Sequence, residues 1–180
     1  MSSASSVPTK VPGRADVVII GGGFGGLQMG ARLRDAGVED LRIIEKGGDF
    51  GGTWYWNRYP GCRFDSESYS YGYSFSEELL QEWDWKEHYS GQPENERYLN
   101  YVADKFDLRR DIQFNTRIKS AKYDATENRW LVEGTDGSKV KGQFLITAVG
   151  LLSAGYIPDF EGINSFKGAW THTGRWPKEG

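Results

Sequence analysis

Three glycines and one acidic residue carry the first chemical signal in this sequence. Gly21, Gly23 and Gly26 have the spacing G-x-G-x-x-G, and Glu45 closes the next apolar run. Set between a strand and a helix, such a cluster suits the pyrophosphate of a dinucleotide. Gly21 allows a tight turn off the strand, Gly23 lets the backbone approach the phosphates, and Gly26 lets the helix pack closely on the strand. The helix N-terminus adds free N–H groups and a positive dipole end. Glu45 stands where a carboxylate accepts hydrogen bonds from a ribose diol. Glycine spacing alone is a weak signal in a chain with 24 glycines among 180 residues, and the plain alternative is a structural turn. The strand, helix and acid around it favour a dinucleotide, without separating FAD from NAD.

The elements that must position these residues follow from periodicity. A β-branched run over 16–20 predicts a buried parallel strand. A helix over 24–36 follows, with Leu27, Ala31 and Leu33 toward the sheet and Gly37 as its stop. A second strand spans 41–45. The stretch 51–75, GGTWYWNRYPGCRFDSESYSYGYSF, is too rich in Gly, Pro and aromatics for a regular helix and too apolar for a solvated loop. Long irregular loops in compact domains are more often functional than idle, although most of its aromatics read as a small core beneath the loop. A short helix at EELLQEW can take Ser74 or Ser76 as cap. Pro93 marks another helix start, and 94–108 shows an apolar stripe of Tyr98, Leu99, Val102 and Phe106 that reads as packing. Strands are expected at 112–121, 130–133 and 140–149, with a hairpin turn at Thr135-Asp136-Gly137. The last strand ends at Gly150, where backbone could approach a second part of a nucleotide or simply turn. The class is α/β: a Rossmann-like βαβ unit with a parallel sheet and an added β-hairpin or meander.

The net charge of -3 offers no basic field for nucleic acid. A single cysteine, Cys62, excludes an internal disulfide and argues against a metal cluster, which fits a reducing, cytoplasmic setting. No apolar run approaches the roughly 20 residues of a membrane span. The first 14 residues are polar, lack an apolar signal core and read as a disordered tail.

Two further signatures accompany the glycines. Phe166, Gly168, His172, Trp176 and Pro177 have the spacing F-x-G-x-x-x-H-x-x-x-W-P, and Gly51 to Asp65 follows [AG]-G-x-W-x-x-x-x-[FY]-P-[GM]-x-x-x-D. Together they make the chain from Ala15 onward resemble the type I Baeyer–Villiger flavin monooxygenases. The resemblance implies FAD as oxygen-activating cofactor, NADPH as electron donor, and a small ketone and O₂ as substrates, with an ester or lactone as product. It also implies a longer enzyme, with a second glycine fingerprint for NADPH and a catalytic arginine that this sequence lacks. The chain accordingly reads as a truncated FAD-binding part: a domain over 15–165, and 166–180 as a link toward an absent NADPH-binding domain.

Residue roles follow by the same resemblance. Gly52, Thr53, Trp54, Tyr55 and Trp56 match the stretch that lies against the flavin. Tyr71 and Ile118 match positions that touch FAD, the latter through its backbone near the adenine. Arg63, Phe64 and Asp65 match a stretch near the nicotinamide nucleotide. Phe24, Lys46 and Gly150 complete the candidate cofactor contacts. Taken alone, Asp65 reads as a cap for 66–69 or an acceptor for loop amides. The resemblance instead sets it beside the catalytic arginine, where a carboxylate holds a guanidinium in one bidentate geometry. His172 has a pKa suited to proton transfer, but its place at the exit of the domain favours a conformational role. His88 reads as structural or exposed. The alternatives are a flavin monooxygenase acting on nitrogen or sulfur, which usually lacks Trp176 and the Asp65 segment, and a flavin-binding module without turnover.

Overall fold

The structure is a computed structural model that describes residues 13–177. Residues 1–12 of the expected tail lie outside the described residues. The chain is already extended at Arg14, which opens β1 (Arg14–Ile20). Helix α1 (Phe24–Asp35) and strand β2 (Leu41–Ile44) complete a βαβ unit, with β1 and β2 parallel and Val17 opposite Leu41. Gly37 stops α1 as expected. With φ of 83° it donates to the Arg34 carbonyl while Val38 donates to Leu33. This is the paired bonding of a helix closed by a left-handed residue.

One expected strand is two. Residues 112–121 divide into β3 (Ile112–Gln113), parallel to β2, and β4 (Ile118–Asp124). They lie at opposite edges of the sheet. Asn115 turns the chain at φ of 54°. The Asn115 and Thr116 amides donate to the carbonyls of Gly47 (2.8 Å) and Glu45 (2.9 Å), not to a strand partner. Local alternation of apolar residues cannot register such a tertiary anchor. Strands β5 (Arg129–Gly134) and β6 (Lys139–Thr147) follow. The pairs β4–β5 and β5–β6 are antiparallel, and β6 runs parallel to β1. The six-stranded order is β3-β2-β1-β6-β5-β4, a parallel sheet carrying an antiparallel meander.

The loop of 51–75 contains two single helical turns, α2 (Thr53–Trp56) and α3 (Ser68–Tyr71). Next come α4 (Glu77–Glu82) and α5 (Gln92–Lys105), the latter with Pro93 in its first turn. Helix α5 ends before the expected Leu108, because Asp107 takes a left-handed conformation and a 3₁₀ turn begins at Leu108.

The sheet buries both faces. Val17, Ile19, Leu41 and Ile43 join Leu27 of α1 and Tyr98, Leu99 and Val102 of α5 in the larger core. Val18 and Ile44 point the other way and pack with Val132 and Val140 of the meander. In α1 the buried residues are Gly26, Leu27, Gly30 and Ala31, whereas Leu33 is only half-buried at the margin. Burial pushes the Tyr98 phenol up to about 12, and the neutral hydroxyl accepts from the Tyr73 amide at 2.7 Å. The buried Asp111 carboxylate ties the end of α1 to the turn before β3, accepting from Arg34 Nε at 2.9 Å.

Ser76, not Ser74, caps α4: its hydroxyl accepts from the Leu79 amide at 3.2 Å. Replacing Ser76 with Ala leaves that donor without its partner and is expected to cost about 1 kcal/mol. The urea midpoint should fall at unchanged slope, and an unchanged midpoint would mean the cap contributes nothing.

Among the described residues, no helix is long and apolar enough to cross a membrane.

Candidate functional site

The carboxyl ends of β1, β2 and β6 converge on a cavity of about 560 Å³. The strand order changes direction here: β2 lies to one side of β1 and β6 to the other, the place where open α/β sheets bind ligands. Backbone bonds lace the three ends together. The Gly21 amide donates to the Ile44 carbonyl at 2.9 Å and the Ala148 amide to the Ile20 carbonyl at 2.8 Å. Gly21 has φ of 110°, and a Cβ there would lie 2.3 Å from the Ala148 oxygen, so no other residue fits. Helix α1 then starts at Phe24 with no side-chain cap and no acidic residue in its first turn. Its first amides have no intrahelical partner, and Gly23, Phe24 and Gly25 line the cavity.

Glu45 is buried directly after β2. Its Oε2 accepts from the Gly22 amide and its Oε1 from the Gly47 amide, both at 2.7 Å. The carboxylate therefore binds the glycine loop to the β2–α2 connection, a duty the sequence did not reveal. A carboxylate offers about four acceptor sites, so two remain for a ligand diol.

The opposite wall is formed by Gly52, Thr53, Trp56 and Asn57 of α2 and its flanks. Gln92 at the start of α5 donates its side-chain amide to the Trp54 carbonyl and so anchors this turn. The Lys46 ammonium sits 5.1 Å from the centre of the Trp56 ring. Arg117, Val149, Gly150 and the segment 152–155 close the rim, with His172, Gly174 and Arg175 beyond. His172 Nδ1 accepts from the Gly174 amide at 3.0 Å, so in the neutral ring the proton is on Nε2. Among the described residues, Lys46, Arg117 and Arg175 have no carboxylate partner, and Glu45 is the one acidic side chain in the lining. A lining with three cations, one anion and an uncapped helix N-terminus suits a ligand bearing a diphosphate.

Several expected contacts stand behind this lining. Trp54 is buried and donates its indole N–H to the Tyr71 hydroxyl at 2.9 Å. Phe64 stacks on Tyr71 at 4.4 Å between ring centres. Burial raises the Tyr71 phenol pKa, opposed by the Trp54 hydrogen bond. This aromatic layer reaches the cavity through Phe24, whose ring lies 4.9 Å from that of Tyr71. Tyr55 turns from the cavity to the loop beside it, accepting from the Gly48 amide at 3.0 Å. Gly26 lies beneath the helix start, against Gly21. Ile118 starts β4 and packs against the meander core. Arg63 is exposed and pairs with Glu87 at 3.0 Å. Asp65 is exposed and makes no side-chain hydrogen bond among the described residues, so neither a cap nor a loop-amide role is seen.

Of the residues singled out in the sequence, Gly21, Gly23, Phe24, Glu45, Lys46, Gly52, Thr53, Trp56 and Gly150 share the cavity. Asn57, Arg117, Ser153, His172 and Arg175 are the polar members that sequence reasoning did not place there. Arg117 adjoins Ile118, which offered a signal, whereas no local pattern announces Asn57. His172 and Arg175 lie within the closing signature, which the sequence reads as a junction toward a further domain.

The sequence pattern of the family described as "Pyridine nucleotide-disulphide oxidoreductase" matches residues 18–177. The acetone monooxygenase (methyl acetate-forming) of Gordonia sp. (strain TY-5) is 51% identical over 165 residues, covering 92% of this chain and 31% of that protein. Among solved structures, an oxidized steroid monooxygenase bound to NADP superposes with a TM-score of 0.84 at 49% identity, covering 93% of this chain and 32% of the other. The OTEMO complex with FAD and NADP superposes with a TM-score of 0.82 at 46% identity, covering 91% of this chain and 30% of the other. The chain spans about 30% of the length of these relatives. From the glycine loop through the closing tryptophan motif, the chain belongs to the pyridine nucleotide-disulphide oxidoreductase family.

Proposed function

We propose that this chain is the FAD-binding part of an FAD- and NADPH-dependent monooxygenase that inserts oxygen next to a ketone carbonyl. The net reaction is ketone, O₂, NADPH and a proton to ester or lactone, NADP⁺ and water. The observation that carries this reading is the meeting of the uncapped α1 N-terminus, Glu45 and α2 in one cavity. The relatives named above support the reaction type.

Bound FAD would supply the oxygen chemistry with electrons from NADPH, and the protein's task is to bind, orient and stabilise charge. In this reading the α1 amides would hold the pyrophosphate and Glu45 the adenosine ribose. Thr53 and Trp56, which line the same cavity, would lie against the flavin. In the same reading residues 15–165 are the flavin domain, and 166–180 link it toward an NADPH-binding domain. Asp65, exposed and unpaired among the described residues, is free to fix an arginine guanidinium supplied from that unit.

The test uses the full-length protein. It should show flavin absorbance, oxidise NADPH and convert a simple ketone to its ester. Oxidation of a sulfide with no reaction of the ketone would overturn the reading. Asp65→Ala should retain FAD but lose ester formation by about 10²-fold or more, the scale of one charge-stabilising group. Unchanged turnover would remove Asp65 from the active site.

A further inference from the structure

We infer that Arg117 is a cofactor-binding residue whose guanidinium stacks on the adenine of the dinucleotide. This rests on the dinucleotide reading of the cavity and adds a residue that neither the glycine motif nor the acid after β2 identifies. Arg117 lines the cavity together with Glu45 and Lys46. Its backbone is fixed from both sides. The preceding Thr116 amide donates to the Glu45 carbonyl at 2.9 Å, and the Arg117 carbonyl accepts from the Thr135 amide at 2.8 Å. The strand end that bears the proposed ribose acceptor therefore also places Arg117 at the same end of the cavity.

The side chain is exposed and has no hydrogen bond or ion pair among the described residues. Arg34, Arg58, Arg63 and Arg109 each hold a carboxylate, whereas the Arg117 guanidinium has no such partner among the described residues and is available to a ligand. A base attached to a ribose on Glu45 would come within reach of Arg117, which lines the same cavity. The base is a flat aromatic surface, and guanidinium is the cation best suited to lie flat on one. Lys46 is engaged over Trp56, and of the two arginines in the lining, Arg117 and Arg175, it is Arg117 whose neighbouring amide is bonded to Glu45.

The test measures FAD affinity by quenching of flavin fluorescence, and ADP affinity by its competition with FAD. Arg117→Gln is exposed on the rim and is expected to leave the thermal melt unchanged. It should weaken FAD and ADP by the same factor, about tenfold. Arg117→Lys keeps the charge without the plane and should recover only part of that loss. Thr53→Val, at the other end of the cavity, should weaken FAD but leave ADP unchanged. ADP affinity equal to wild type in Arg117→Gln would overturn the inference, and full recovery by Arg117→Lys would replace stacking by a phosphate contact. A wild-type protein that binds neither FAD nor ADP would overturn the dinucleotide reading itself, and this inference with it.

Discussion

Gly26→Ala should nearly abolish FAD binding and destabilise the fold, although alanine is the better helix former. A Cβ at Gly26 would lie 1.9 Å from the Gly21 carbonyl oxygen and 3.0 Å from its carbon. The obstacle is backbone, held in turn by the bond from the Gly21 amide to Ile44, so no side chain can swing aside. Helix α1 would have to retreat by more than an ångström. The helix-propensity gain of about 1 kcal/mol is set against an overpacking cost at or above the usual 1–3 kcal/mol, so we expect a net loss of about 2 kcal/mol. The retreat also withdraws the first amides of α1 from the cavity. Losing two hydrogen bonds to a charged group, at about 1.5 kcal/mol each or more, corresponds to at least a hundredfold in FAD affinity. Gly25→Ala is the control for stability. Its Cβ would meet nothing closer than the Ala148 methyl at 3.8 Å, so its urea midpoint should equal or exceed wild type. Equal stability and FAD affinity in Gly26→Ala and wild type would refute the close packing of helix on strand.

Glu45→Gln is expected to cost stability and affinity together, because one carboxylate serves both. Its two oxygens accept from the Gly22 and Gly47 amides in a buried site. An amide presents one oxygen and one NH₂, so one of the two backbone donors must face another donor. Losing a charge-assisted bond and stranding a buried N–H together amount to about 3 kcal/mol. The urea midpoint should fall without FAD present, which a residue that only contacts ligand would not cause. FAD should then bind at least tenfold more weakly, since the diol loses a charged acceptor. Normal stability with weakened FAD would confine Glu45 to ligand contact. Lowered stability with unchanged FAD affinity would confine it to the loops.

The parts of this protein that could be read in advance are those decided locally. The run from Val17 to Ile20, the glycines 21, 23 and 26, the stop at Gly37 and the acid at 45 lie in one continuous βαβ stretch, where side-chain period and backbone conformation depend on near neighbours. The Ser76 cap and the turn ending in Gly137 are equally local. The division of 112–121 was not legible, since it depends on Asn115 and Thr116 meeting carbonyls at 45 and 47, some seventy residues earlier.

The cavity shows the same boundary. Sequence determined that a glycine loop joins a strand to a helix and that an acid closes the next strand, because glycine geometry and strand ends are properties of the chain itself. Only the tertiary structure decided which distant residues share that loop's space. It brought Arg117, His172 and Arg175 to the rim and set Trp54, Phe64 and Tyr71 behind the lining as a packed layer. It also gave Glu45 a second duty toward two backbone amides. Each of these depends on contacts between segments far apart in sequence, where packing and unmet hydrogen bonds, not residue type, choose the partner.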